Sequence, residues 1–123
     1  MNIIQTDLAP AAIGPYSQAI ESNGFVFCSG QIGLNPETGE LVKGFDEQVH
    51  QIMRNIQAVL EAAELTLDRV VKTTVFLTDM NDFPVFNDIY EQFFHEHRPA
   101  RSTVAVKALP KGAKIEIEVI AVK

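Results

Sequence analysis

Few side chains in this sequence have both the type and the setting to do chemistry, and the first is Arg101, the second arginine of "RPARSTVAV". A guanidinium placed where Pro99-Ala100 runs into β-branched residues needs a carboxylate partner, supplied by the protein or by a ligand. Taken alone, Arg101 reads as a solvated strand-end arginine or as the salt-bridge partner of Glu116 or Glu118 in "KIEIEVIAV". Glu116 carries the same ambiguity between pairing and acid–base work, and Glu118 reads as the partner of a nearby lysine. His95 and His97 in "HEH" present alternating imidazoles, but they fall at a predicted helix C-terminus, where histidine suits the dipole and no third ligand accompanies them. No metal site is expected. Cys28 falls on the core side of its strand, which predicts a buried thiol rather than a nucleophile, and His50 reads as a helix surface residue. The glycines between Gly30 and Gly39 lack the Gly-Lys-Ser/Thr ending of a phosphate loop.

The frame that must position these groups is small. A chain of 123 residues fits one domain spanning 1–123, because two would each bury too little surface. With 46% hydrophobic and 21% charged residues it is an ordinary globular mixture, and its longest apolar runs fall far short of the ~20 residues of a bilayer span. The N-terminus lacks a basic start followed by an apolar block, and the single cysteine excludes an internal disulfide, so a cytoplasmic location is expected. Sixteen acidic against ten basic side chains give a net charge of −6, with the lysines and arginines scattered. Nucleic acid is therefore disfavoured as a partner, since its binding draws on phosphate neutralisation, and a small ligand is favoured.

The elements follow from periodicity. "SQAIESNGFVFCSG" predicts a hairpin about Asn23-Gly24, and "NPETGE" a second tight turn. Val49, Ile52, Met53, Ile56, Val59, Leu60 and Ala63 form the stripe of an amphipathic helix from Asp46, taken as N-cap with Phe45 before it, to about Ala63. "VVKTTVFLTD" predicts a strand; a second helix opens near Pro84, carries Phe86, Ile89, Tyr90, Phe93 and Phe94 as core packing, and is stopped by Pro99. "RSTVAVKAL" and "KIEIEVIAV" are two further strands separated by "PKG", and "NII" offers a short one at the start. Two strand–helix–strand units place both helices on one face of a mixed sheet, a two-layer α+β sandwich.

Alternation then sorts the strand residues into two faces. Val26, Cys28, Val71, Thr73, Val75, Leu77, Val104, Val106, Ile115, Ile117, Val119 and Ala121 are expected under the helices. Phe25, Phe27, Ser29, Lys72, Thr74, Phe76, Thr78, Arg101, Thr103, Ala105, Lys107, Glu116, Glu118, Ile120 and Val122 are expected on the face that no helix covers. Leaving Phe25, Phe27, Phe76, Ile120 and Val122 bare at ~1.5–3 kcal/mol each would cost on the order of 10 kcal/mol, comparable with the stability of a whole domain. Other copies of the chain are expected to cover that face, with Arg101 and Glu116 in or beside the interface.

"GPYSQAI", "FCSGQIG", "VVKTTVFLTDMNDF", "VFNDIYEQFF" and "PARSTVAV" followed by "LPKGAKIEIEVIAV" resemble, in order and over nearly the whole chain, the blocks of the Rid family of reactive-intermediate deaminases, also called YjgF or UK114. The resemblance implies a single Rid-type domain with a chorismate-mutase-like fold, forming a homotrimer with clefts between subunits. It implies hydrolysis of enamine and imine acids such as 2-aminoacrylate, 2-iminobutanoate and 2-iminopropanoate to 2-keto acids and ammonia, with no metal or organic cofactor. Carried over by residue, Arg101 of "PAR" would hold the substrate carboxylate and Glu116, first acid of "IEIE", would orient or deprotonate the attacking water. Tyr16, Ser29, Gly30 and Asn87 would complete the pocket wall. Thr103 stands where some members have cysteine, so thiol chemistry is lost there while a backbone contact would survive. Other readings are a trimer that binds or senses small carboxylates without turnover, RNA binding or cleavage, and chaperone-like action.

Overall fold

Asn23 and Gly24 carry the chain through the left-handed region, with φ of 52° and 81°, and close the predicted two-residue hairpin. In the computed structural model, which describes residues 1–123 throughout, that hairpin joins β2 (Ala19–Ser22) to β3 (Phe25–Gln31). β1 (Asn2–Ile4) adds antiparallel to β2. The chain continues through α1 (Phe45–Ala62), β4 (Val70–Leu77), α2 (Phe83–Phe94), β5 (Ala100–Ala105) and β6 (Ile115–Val122). All six strands form one mixed sheet in the order β1-β2-β3-β6-β4-β5, so the architecture is the expected α+β sandwich.

The two strand–helix–strand units are not alike. β4 and β5 are hydrogen-bonded neighbours running parallel, whereas β6 inserts between β3 and β4, antiparallel to both. The last strand is thus the middle of the sheet, and its Ile115, Ile117, Val119 and Ala121 are at most 2% exposed. They join Val49, Ile52, Met53, Ile56 and Leu60 of α1 and Phe86, Ile89 and Phe94 of α2 in one apolar cluster on a single side of the sheet.

Local boundaries differ from the expected ones for identifiable reasons. Gly44, at φ 92°, is the N-cap of α1 in place of Asp46, which stands with Glu47 in the first turn where its charge suits the helix dipole. Phe45 is itself helical and buried. At the other end the N–H of Leu65 bonds the Leu60 carbonyl and that of Glu64 the Glu61 carbonyl, a Schellman closure with Glu64 at φ 62° where glycine is usual. α2 stops at Phe94, well before Pro99, because His95 turns to φ 57° and its N–H returns to the Glu91 carbonyl at 2.8 Å. β5 ends at Ala105 rather than Leu109.

Face assignment holds for β3 and β6 and fails at two places. A bulge between Val70 and Lys72 puts Val70 in the core and leaves Val71 exposed. In β5 the whole alternation is reversed: Arg101 pairs with Thr73 and Thr103 with Val75, so both share the helix-covered face, while Ser102 and Val104 stand beside Thr74 and Phe76 on the bare one. Val104 is accordingly 45% exposed, in company with Phe25 at 41% and Phe27 at 46%.

Candidate active site

Arg101 emerges from β5, at the open edge of the sheet, and its guanidinium lies over α2. Its central carbon is 5.4 Å from the ring centres of Phe83 and Phe86 and 5.0 Å from that of Tyr90. Three π-faces stabilise the charge and flatten its surroundings without neutralising it. The ion pairs of the chain are Arg98 with Glu91 and Lys123 with Glu21, so the Arg101 charge is matched by no carboxylate. It faces a cleft of about 440 Å³ shared with Asn87, Asp88, Tyr90, Glu91, Arg98 and Pro99. Thr103, two residues along on the same face, holds its Oγ1 buried with no hydrogen-bond partner.

Glu116 lies elsewhere. It projects from β6 on the bare side of the sheet, opposite Phe76, into a second cleft of about 370 Å³ that Tyr16, Gly30, Pro10, Ile13, Ile32, Leu34 and Lys111 help to line. Its neighbour is the bulge of β3, where the pairing with β6 slips between Cys28 and Gln31. Gly30 sits in that slip because the Glu116 carboxylate occupies the space of a side chain. A Cβ on Gly30 would overlap Glu116 Oε2 and stand 2.9 Å from its carboxyl carbon.

The opposite wall of this cleft is the irregular segment 5–18, which a few polar bonds hold down. Gln18, 4% exposed, accepts from the N–H of Thr6 and donates to the carbonyls of Thr6, Ala9 and Pro10. Ser29 donates its hydroxyl to the Ser17 carbonyl at 2.6 Å, and its N–H bonds the Gln18 carbonyl. Ser29 therefore ties the segment that carries Tyr16 rather than lining the cleft. Tyr16 itself is 54% exposed.

Charge separates the two clefts further. Burial, and secondly the negative charge of Glu118, raise the Glu116 carboxyl above the usual carboxylate range, which makes it a stronger proton acceptor once ionised. Burial raises the Tyr90 phenol as well, opposed by its bond to Thr73 and by Arg101. The other candidates have structural settings. Burial pushes the Cys28 thiol up to about 12, far from a thiolate at neutral pH. His97 Nε2 lies 2.6 Å from the Val70 carbonyl, and His50 sits edge-on to Phe93 with its ring nitrogen on the Asp46 carbonyl.

Of the residues singled out in the sequence, Tyr16, Gly30 and Glu116 come together in one cleft and Asn87 and Arg101 in the other. Ser29 and Thr103 lie behind these surfaces. Sequence reasoning missed the tether Gln18 and treated Tyr90 as packing alone. The spacing of Phe83, Phe86 and Tyr90 marks one face of α2, but no sequence signal says that Arg101 shares it.

The sequence model of the endoribonuclease L-PSP family matches residues 6–123. A RutC family protein of Aquifex aeolicus is 54% identical over all of this chain and all of its own. The 2-iminobutanoate/2-iminopropanoate deaminase of mouse is 48% identical over 98% of this chain and 90% of its own. Among solved structures, E. coli TdcF with bound serine superposes with a TM-score of 0.96 at 46% identity, covering 100% of this chain and 99% of that one.

Proposed function

The chain belongs to the endoribonuclease L-PSP family, the family of the YjgF and Rid proteins, and on that premise we propose that it hydrolyses reactive 2-imino acids to 2-keto acids and ammonia. The observation that carries this reading is the coexistence of an arginine matched by no acid and a half-buried glutamate matched by no cation, each opening on a cleft. Arg101 suits the substrate carboxylate, which its planar fork binds through two parallel hydrogen bonds. Glu116 suits the water. The protonated imine carbon is already electrophilic, so the carboxylate has only to take a proton from water as its oxygen adds to that carbon. Returning that proton to nitrogen gives a tetrahedral adduct whose hydroxyl proton the same carboxylate then takes as the C–N bond breaks, so that ammonia leaves and the 2-keto group forms. Nothing in this sequence of steps calls for redox chemistry or a Lewis acid.

The base and the clamp lie on opposite faces of one chain's sheet, so the working site takes Glu116, Tyr16 and Gly30 from one copy and Arg101 and Asn87 from another. A homotrimer packed through Phe25, Phe27, Phe76, Val104 and Ile120 supplies that arrangement and covers the bare face. The serine in E. coli TdcF supports a pocket for amino-acid-like carboxylates, and the mouse enzyme's name supports 2-iminobutanoate and 2-iminopropanoate as substrates. RNA is the weaker reading, since a net charge of −6 and the neighbouring Glu116 and Glu118 oppose phosphate.

Adding the protein to a threonine dehydratase reaction tests the proposal: release of 2-ketobutanoate should quicken, and Arg101→Ala should abolish the gain. A rate no higher than background would refute it. Calorimetric binding of 2-ketobutanoate beside a flat kinetic assay would favour a carboxylate sensor instead, and salt-sensitive retention of RNA a nucleic-acid role.

A further inference from the structure

We infer that Tyr90, pinned by Thr73, is a positioning residue that fixes the Arg101 guanidinium in its carboxylate-binding orientation before any ligand arrives. The inference rests on the reading of Arg101 as the clamp. Arginine has a long, freely rotating stem, and every rotamer lost on binding weakens affinity, so a clamp held in place beforehand binds more tightly.

Several features of α2 provide that restraint. Tyr90 is the nearest of the three rings under the guanidinium, and it also lines the cleft. Its own ring is wedged between Phe86 at 5.1 Å and Phe94 at 4.6 Å, so it has little freedom to tilt. Its hydroxyl meets Thr73 Oγ1 at 2.8 Å, and Thr73 is fully buried. Thr73 is also the register partner of Arg101 across the β4–β5 pair. The hydroxyl bond thus ties the ring to the sheet at the position beside the one from which the clamp grows. A phenylalanine would fill the same volume; a polar pair buried in an apolar cluster has a cost that packing alone does not explain.

The test compares Tyr90→Leu and Tyr90→Phe with the wild type in steady-state kinetics, in calorimetric binding of 2-ketobutanoate, and in the NMR signal of the Arg101 Nε–H group. Tyr90→Leu should raise KM and the Kd for 2-ketobutanoate roughly tenfold with kcat nearly unchanged, the pattern of lost uniform binding. In an Arg101→Lys background the same change should have an effect of less than about twofold, because Tyr90 acts through the guanidinium. The Arg101 Nε–H signal, shifted by the ring currents in the wild type, should move toward that of a solvated arginine. Should Tyr90→Leu not fold, Tyr90→Phe should show the same pattern at roughly threefold, through loss of the Thr73 anchor. An unmoved Arg101 signal, or equal losses in both backgrounds, would overturn the inference. If the wild type binds 2-ketobutanoate without turnover, the deaminase reading fails while Kd and the NMR signal still decide this one; if it binds nothing, the NMR signal decides alone.

Discussion

Arg101 and Glu116, each in its own cleft, are groups of opposite charge set in place by opposite means. Arg101 carries a permanent charge, laid on three aromatic rings at the open edge of the sheet. Glu116 carries a conditional one, crowded against a glycine on the central strand and pushed toward its neutral form by burial and by Glu118. The first arrangement suits a group that must remain charged and hold still. The second suits a group that must gain and lose a proton. One chain keeps them apart, on opposite faces of its sheet, so on the proposed reading clamp and base would meet only where two copies meet.

Substitutions can break this contrast in graded steps. Glu116→Gln should lower kcat/KM by about 10²- to 10⁴-fold, the range for a general base, while leaving carboxylate binding nearly intact. Stability should move the other way. A carboxyl whose folded-state pKa is raised favours the fold below its unfolded pKa, and that contribution is lost as pH rises through the folded value. At neutral pH the wild type therefore carries a cost, and the melting temperature of Glu116→Gln should equal or exceed it. Next in size, Gly30→Ala should cost about 10- to 100-fold in activity with little change in melting temperature, because the flexible carboxylate can swing away but not stay in place. Glu118→Gln should have the smallest effect. The acid limb of the kcat/KM profile should shift to lower pH, only in part, since burial is the larger cause of the raised Glu116 pKa. A shift to higher pH would mean that Glu118 does not act through its charge.

Much of this frame was legible in the residues. The Asn23-Gly24 turn, the apolar stripes of α1 and α2 and the alternation in β3 and β6 all have strong local signals, and each element formed, with α2 ending at Phe94 instead of running up to Pro99. The phase of β5 was misread, because the contrast in "RSTVAV" between Arg101 and Thr103 on one side and Val104 and Val106 on the other points the valines toward the core, whereas this edge strand takes its phase from register with β4. That single unread register moved Arg101 from the bare face to the aromatic shelf and Val104 the other way. Val71 was lost to a bulge, which inserts a residue without any mark in composition. The motifs picked out Glu116 and Gly30 separately as candidates, but that the carboxylate fills the space a side chain on Gly30 would need is visible only in the coordinates.

Mixing two inactive variants tests the two-copy site most directly. Arg101→Ala and Glu116→Gln, unfolded together in equal amounts and refolded, should recover about a quarter of wild-type activity, the share of sites that random assortment gives an intact clamp from one variant and an intact base from the other. Each variant refolded alone should remain inactive. Mixed assemblies with no more activity than the separate variants would contradict the account, for they would place clamp and base in the same chain.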